Sequence, residues 1–443
     1  MSTANTQTVD QSDLVTLLPG IVLVSILPLS TLAALTGQIP GYLAGIPAWI
    51  ALALLLRHQQ RGQRTQRILL LAVGVLALVT SLLIGGDGAG YLLKALEANQ
   101  MIIAMLVAVS FLRLVTLSGL ETDEQLPPGA RALNATLFGG HLIGSVINMS
   151  SVMILGDRLS AQRPLTPLQG LTLLRSFGNC AVWSPFFAAM GVVLISAPGA
   201  SLSTLVLYGI PVAVIGLLLT SWQIARHPEV AETPGYPLHL GALWIPTFLA
   251  VLVIIAHQLW PDVSVITLVT LLSLLFTLLW LPVKSGRSAP GILATHVRHG
   301  LPRLGGEVTL FVAAAVLAAG IGALLLSLDI RLAPAHFGLV AACSTLAVMI
   351  GLAMIGMHPV TSVVLAGSIL MPSVDDPDLL GITLLLSWSL GVSLSPFSGV
   401  QISLQSRYGI GALTLLKLNR FYAPAMLAIG FATLAIYTHL HGA

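Results

Sequence analysis

Two serine–proline pairs, Ser184-Pro185 and Ser395-Pro396, fall in the middle of long apolar stretches. Proline removes a backbone hydrogen bond and clashes with the preceding turn, so a helix through either position must break. Serine followed by proline also fits an N-cap and first helical position. Each break is therefore expected to start a half-helix whose free amides and positive dipole end favour an anion. Two other apolar stretches are interrupted by polar residues: Asn148, Ser150 and Ser151 in one, His358, Pro359, Thr361 and Ser362 in the other. Hydroxyls, a side-chain amide and carbonyls freed at turns are hard oxygen ligands suited to a sodium ion. The imidazole of His358 can exchange a proton near neutral pH. Asn179 and Ser393, each just ahead of a break, are expected to line the same cavity, with Ser398 and Gln401 near by. Arg175 lies well inside its stretch, where a charge is costly unless paired or hydrated. It either meets a carboxylate or oxyanion, pairs with Asp157, or snorkels to the surface.

What is missing narrows the chemistry. No Asp or Glu falls in mid-stretch; Asp157 is placed at the base of an interrupted stretch and Glu307 at a stretch entrance. That argues against a cation/proton exchanger built on a buried carboxylate. A carboxylate pair, metal-ligand spacing and a soluble catalytic domain are all lacking, so an enzyme is not expected. Cys180 and Cys343 sit inside apolar stretches with no CxxC or Cys/His spacing and read as small buried residues, with neither disulfide nor metal implied.

These polar sites recur because the chain contains itself. Residues 151–186 align with 362–397 without a gap, and 13 of 36 positions are identical, including Gly156/Gly367, Gly170/Gly381, Thr172/Thr383, Ser176/Ser387 and the closing Ser-Pro-Phe. Ser151 and Ser184 are 33 residues apart, as are Ser362 and Ser395, so interruption and break keep one register in both copies.

Hydrophobic residues make up 56% of the 443 positions and charged residues 8%, with a mean hydropathy of +0.95, the composition of an all-α polytopic membrane protein. Eleven stretches are long enough to cross: 14–36, 39–57, 67–86, 96–119, 166–196, 201–225, 240–259, 262–283, 307–329, 379–410 and 412–440. The stretches 132–159 and 336–371 are too long for one crossing and too short for two, and are expected to be re-entrant hairpins. With the N-terminus cytoplasmic, sixteen of nineteen basic residues fall inside; only Lys94 and Arg331 fall outside, and Arg175 within a span. The net charge of +3 thus reports orientation, not a nucleic-acid partner. Five crossings separate equivalent points of the two copies, which makes them inverted and leaves the C-terminus outside. The domains expected are a leading span (1–38), a first repeat (39–226) and a second (240–443). The polar first dozen residues lack a basic region and do not read as a cleavable leader. Residues 288–304 read equally as an amphipathic surface helix or a plain loop.

This order of elements resembles the ion transporter superfamily, most closely the divalent anion/sodium symporters and more distantly the arsenite permeases. Those symporters carry Ser-Asn-Thr in each repeat, where this chain has Asn148-Met149-Ser150-Ser151 and His358-Pro359-Val360-Thr361-Ser362. The resemblance implies an elevator mechanism, a homodimer, sodium coupling and di- or tricarboxylate substrates.

The expectation is a secondary active transporter in a bacterial inner membrane, moving a small organic anion with sodium or proton. Its substrate site would comprise Asn148, Ser150, Ser151, Arg175, Asn179, Ser184, Pro185, Thr361, Ser362, Ser393, Ser395 and Pro396. Its ion site would draw on Asn148, Ser151, His358, Thr361 and Ser362, with a bound sodium ion as the only cofactor. A passive anion channel and a carrier of an inorganic oxyanion are the alternatives.

Overall fold

The computed structural model describes residues 11–86, 88–116, 126–237, 244–330 and 332–442, and these form helices joined by turns, with no strand among them. The polar residues 1–10 and Arg331, both of which carry expectations above, lie outside the described residues. Eight described segments are long and apolar enough to span a membrane. The eleven expected stretches exceed that number for three physical reasons. The segment Val265–Ser327 contains two long helices, Val265–Ser285 and Gly305–Ser327. The helix Trp244–Leu259 is short. The stretch 166–196 is split into Pro167–Gly178 and Ala188–Ser196, neither long enough alone. The chain is a multi-pass, all-helical membrane protein. Large apolar side chains such as Leu76, Leu83, Leu279 and Val283 remain exposed on the outer helices, as contact with lipid requires.

Both broken helices begin with a capped proline. Thr166 accepts from the Gln169 amide at 3.2 Å while the Gln169 side chain accepts from the Thr166 amide at 2.8 Å, a reciprocal box with Pro167 at the first position. Asp376 accepts from the amides of Asp378 and Leu379 at 2.9 and 3.4 Å, ahead of Pro377. These caps fix where each helix enters and hence where its break falls.

The copies pack reciprocally. Arg61–Leu83, the second full span of the first copy, lies along Gly305–Ser327 of the second, and Val265–Ser285 lies along Gln100–Thr116. At the first of these crossings Gly74 and Gly320 meet so closely that a Cβ on either would collide with backbone. The broken helices cross each other as well. Ser389 Oγ donates to the Gly178 carbonyl at 2.8 Å, and those two positions are separated by 211 residues, the offset of the duplication.

Residues 289–304 are helical: Ala289–Thr295 runs into a π turn at His296–Gly300 and a 3-10 turn at Leu301–Leu304.

Candidate functional site

The first interrupted stretch folds as two helices, Ala130–Ile147 and Met149–Leu159, that meet at the single residue Asn148. Asn148 has a φ of 53°, a conformation few side chains adopt, and its Nδ2 donates to the Phe186 carbonyl at 3.0 Å. That bond ties the tip to the turn behind the first break. Ser151 Oγ donates to the Asn148 carbonyl at 2.8 Å, closing the tip on itself, and Ser150 is half-buried one residue earlier.

The second tip joins Leu339–Met354 to Pro359–Leu370. His358 is the N-cap of the latter helix, and its Nδ1 accepts from the Val360 amide at 3.2 Å. An accepting Nδ1 puts the ring proton on Nε2. Thr361 Oγ1 and Ser362 Oγ, on the first turn, are buried with no hydrogen-bond partner, as is Gln401 Oε1 on the second broken helix. Buried oxygens left unpaired in this way carry a desolvation cost that a ligand can relieve.

The two breaks share one geometry, and it differs from the expected N-cap. The amides of Ser184 and Ser395 still bond back to Cys180 and Gly391, at 3.1 and 3.0 Å. A tight turn follows, in which the amides of Phe187 and Ser398 donate to the carbonyls of Ser184 and Ser395 at 3.2 and 3.1 Å. Pro185 and Pro396 occupy the second position of that turn, where a fixed φ is favourable. The serine hydroxyls accept from the amides of Phe186 and Phe397 and donate to hairpin carbonyls, Ser184 to Ser145 and Ser395 to Ala353. The half-helices therefore begin three residues later than expected, at Ala188 and Gly399, and only the second has a side-chain cap, from Ser398 to Gln401 at 3.4 Å. Ser184 and Ser395 fasten breaks to hairpins instead of opening helix ends.

A cavity of about 540 Å³ lies where the tips approach the spans Gly41–Leu55, Arg61–Leu83 and Gly305–Ser327. Asn148 and His358 come together in its lining, so the structure unites one polar residue from each tip. Phe177, Phe187, Trp388 and Val392 give it an apolar floor. The lining also carries Gln59, Gln63, Arg67 and Glu307, none of which sequence reading assigned to a site. Arg67 is 5% exposed; its Nη1 donates to the Gln63 carbonyl and Gln66 Oε1 at 3.2 and 2.7 Å, and its Nη2 to the Gly306 carbonyl at 3.4 Å. Its Nε has no partner. His358 and Glu307 are close enough to feel its charge, yet no ion pair joins Arg67 to Glu307. Arg67 was legible only as a cytoplasmic charge; the signal available was its place two turns into a helix that starts at Arg61.

Other expected residues lie away from the cavity lining. Arg175 is fully buried, and every N–H is used within the protein. Nε and Nη2 donate to Asn419 Oδ1 at 3.1 and 2.9 Å, Nη2 also to the Leu418 carbonyl at 3.3 Å, and Nη1 to Gln223 and Thr220 at 3.0 and 3.5 Å. The Tyr422 ring stacks on it at 3.9 Å. Asp157, one of its expected partners, instead holds Arg407 in a bidentate pair at 2.8 and 2.7 Å. Asn179 is likewise spent, donating to the Arg175 carbonyl and Tyr422 Oη at 2.8 and 3.0 Å. The Ser393 carbonyl accepts from Gln401 and Asn419 at 3.2 and 2.9 Å, and its side chain packs against Gly178. His141 is satisfied as a packing group, with Nδ1 3.0 Å from the Ser176 carbonyl and Nε2 accepting from Trp183.

Apolar spans, two polar-tipped helix pairs and two broken helices closing on one cavity define the fold of a multi-pass membrane protein. Among solved structures, the YdaH transporter of Alcanivorax borkumensis, whose crystal structure is described as revealing an unusual topology, is similar in fold. The likeness covers 84% of this chain and 98% of that one, at 15% identity and a TM-score of 0.54. No protein-family model and no curated protein matches the chain. The likeness is one of fold and does not single out the divalent anion/sodium symporters.

Proposed function

We propose that this protein is a secondary active transporter of a small organic anion of di- or tricarboxylate type. The observation that carries the reading is the cavity between the tips and Arg67, whose buried Nε lacks a partner. A guanidinium held in place by its Nη groups presents a pre-oriented donor to a carboxylate, and a fixed donor in a poorly hydrated site binds more tightly than one in water. Asn148 and His358 would contact the substrate from the tips, so that tip movement carries the anion away from Arg67. This fits an elevator displacement of hairpins and broken helices against the spans that pack reciprocally around them.

Sodium is the coupling ion we favour, because Thr361 and Ser362 hold buried oxygens without partners beside the tip. Proton coupling is the second reading, since Glu307 lines the same cavity although the sequence placed it at a span entrance. Uptake by proteoliposomes across a panel of carboxylates and oxyanions tests the proposal. It predicts saturable dicarboxylate uptake that rises with an inward sodium gradient and is lost in Thr361→Ala/Ser362→Ala. Uptake driven by a pH gradient alone and lost in Glu307→Gln would move the coupling to Glu307. Absence of uptake for every organic anion would end the assignment.

A further inference from the structure

A second cavity, of about 630 Å³, opens among Arg113, Arg287, Arg303, His296 and His299. It sits where helix ends converge. Gln100–Thr116 finishes just past Arg113, Val265–Ser285 finishes just before Arg287, and the segment 286–304 returns to the start of Gly305–Ser327. Lys284 Nζ donates to the Val115 carbonyl at 3.3 Å, joining two of these ends. His296 pins the returning segment: it is buried, edge-on to Phe111 at 4.7 Å, with Nε2 3.0 Å from Ser110 Oγ. Gly300 passes over that ring, where any Cβ would collide with it.

The charge here is unbalanced. Among the described residues no carboxylate lines the cavity, and none of the three guanidinium groups has a hydrogen bond or ion pair. Arg113 and Arg303 are close enough to repel each other, and both repel His296. The acid that Arg113 feels, Asp157, is already clamped by Arg407. A cluster of three guanidinium groups around one cavity suits a multivalent oxygen anion, and guanidinium forks match phosphate oxygens.

The neighbouring surface says which phosphate. Leu114 and Ile292 share the cavity wall. On the helix that ends at Arg287, Leu275, Leu279 and Val283 are 53%, 64% and 73% exposed, one turn apart, an apolar track leading up to the arginines. We propose that this cavity binds the phosphodiester headgroup of an anionic phospholipid, with an acyl chain along that track.

The test titrates purified protein in detergent with short-chain phosphatidylglycerol, phosphatidylcholine or inorganic phosphate, reading thermal stabilisation. Phosphatidylglycerol alone is expected to stabilise the protein, with affinity falling about fivefold per arginine removed in Arg287→Gln and in Arg113→Gln/Arg287→Gln. Arg57→Gln/Arg61→Gln, which removes the same charge elsewhere, should bind as the parent does. Arg287 is exposed, so its single variant reports even if the double variant folds poorly. Equal affinity in parent and Arg287→Gln would overturn the proposal. So would equal stabilisation by phosphatidylcholine, or full stabilisation by inorganic phosphate, which would identify a free-phosphate site.

Discussion

Arg175 spends all five N–H groups on Asn419, Gln223, Thr220 and the Leu418 carbonyl, whereas Arg67 keeps Nε unpaired at the cavity wall. The two buried guanidiniums should therefore fail differently when altered. Arg67→Gln is expected to raise KM for a dicarboxylate by about thirtyfold or more, since losing one partner of a buried charged contact costs about 2–5 kcal/mol. Arg67→Lys should recover part of that loss, and uptake kinetics in proteoliposomes will show it. Arg175→Lys should instead lower the thermal unfolding temperature, because each buried amide left unpaired costs about 1–3 kcal/mol. The KM of the surviving protein should be unchanged. The sequence pointed to Arg175 because a lone charge deep in an apolar stretch stands out, while Arg67 followed Arg57, Arg61 and Arg64 and merged with a basic loop. Only folding shows that the helix starting at Arg61 carries Arg67 inward to face His358.

Both interruptions of the apolar pattern fold into turns between helices, and both Ser-Pro pairs break their helices, so the elements themselves were readable from residue types. Their fine register was not. Serine–proline serves a tight turn as well as an N-cap, and the turn won because each serine hydroxyl found a hairpin carbonyl. At the first tip, Asn148 bears a φ of 53°, a cost of about 1–3 kcal/mol for a residue with a side chain. Asn148→Gly should relieve that cost and Asn148→Ala should not, while both lose the bond to the Phe186 carbonyl. The glycine variant is thus expected to unfold at the higher temperature, with both impaired in uptake. The pair Asp157–Arg407 joins the first hairpin to the second broken helix at a half-exposed site. Asp157→Asn should cost no more than about 1 kcal/mol, measured by the shift in thermal unfolding.

At the scale of the molecule, Gly178 and Ser389 occupy equivalent positions of the two aligned segments and touch. A methyl group on Gly178 would drive into Ser393. Gly178→Ala forces the Ser393 hydroxyl to move and should lower the thermal unfolding temperature, and Gly178→Ala/Ser393→Ala, which removes the hydroxyl, should recover most of the loss. The internal sequence repeat was legible because glycine, serine and proline seldom coincide by chance; the meeting of its copies was not, because a contact between distant segments leaves no periodicity in the chain. Counterflow tests the central claim most directly. Proteoliposomes loaded with an unlabelled dicarboxylate and diluted into labelled substrate should show a transient overshoot with the parent protein and, at the same concentrations, a strongly diminished one with folded Arg67→Gln. A monotonic, non-saturating rise with the parent, or an undiminished overshoot with Arg67→Gln, would contradict it.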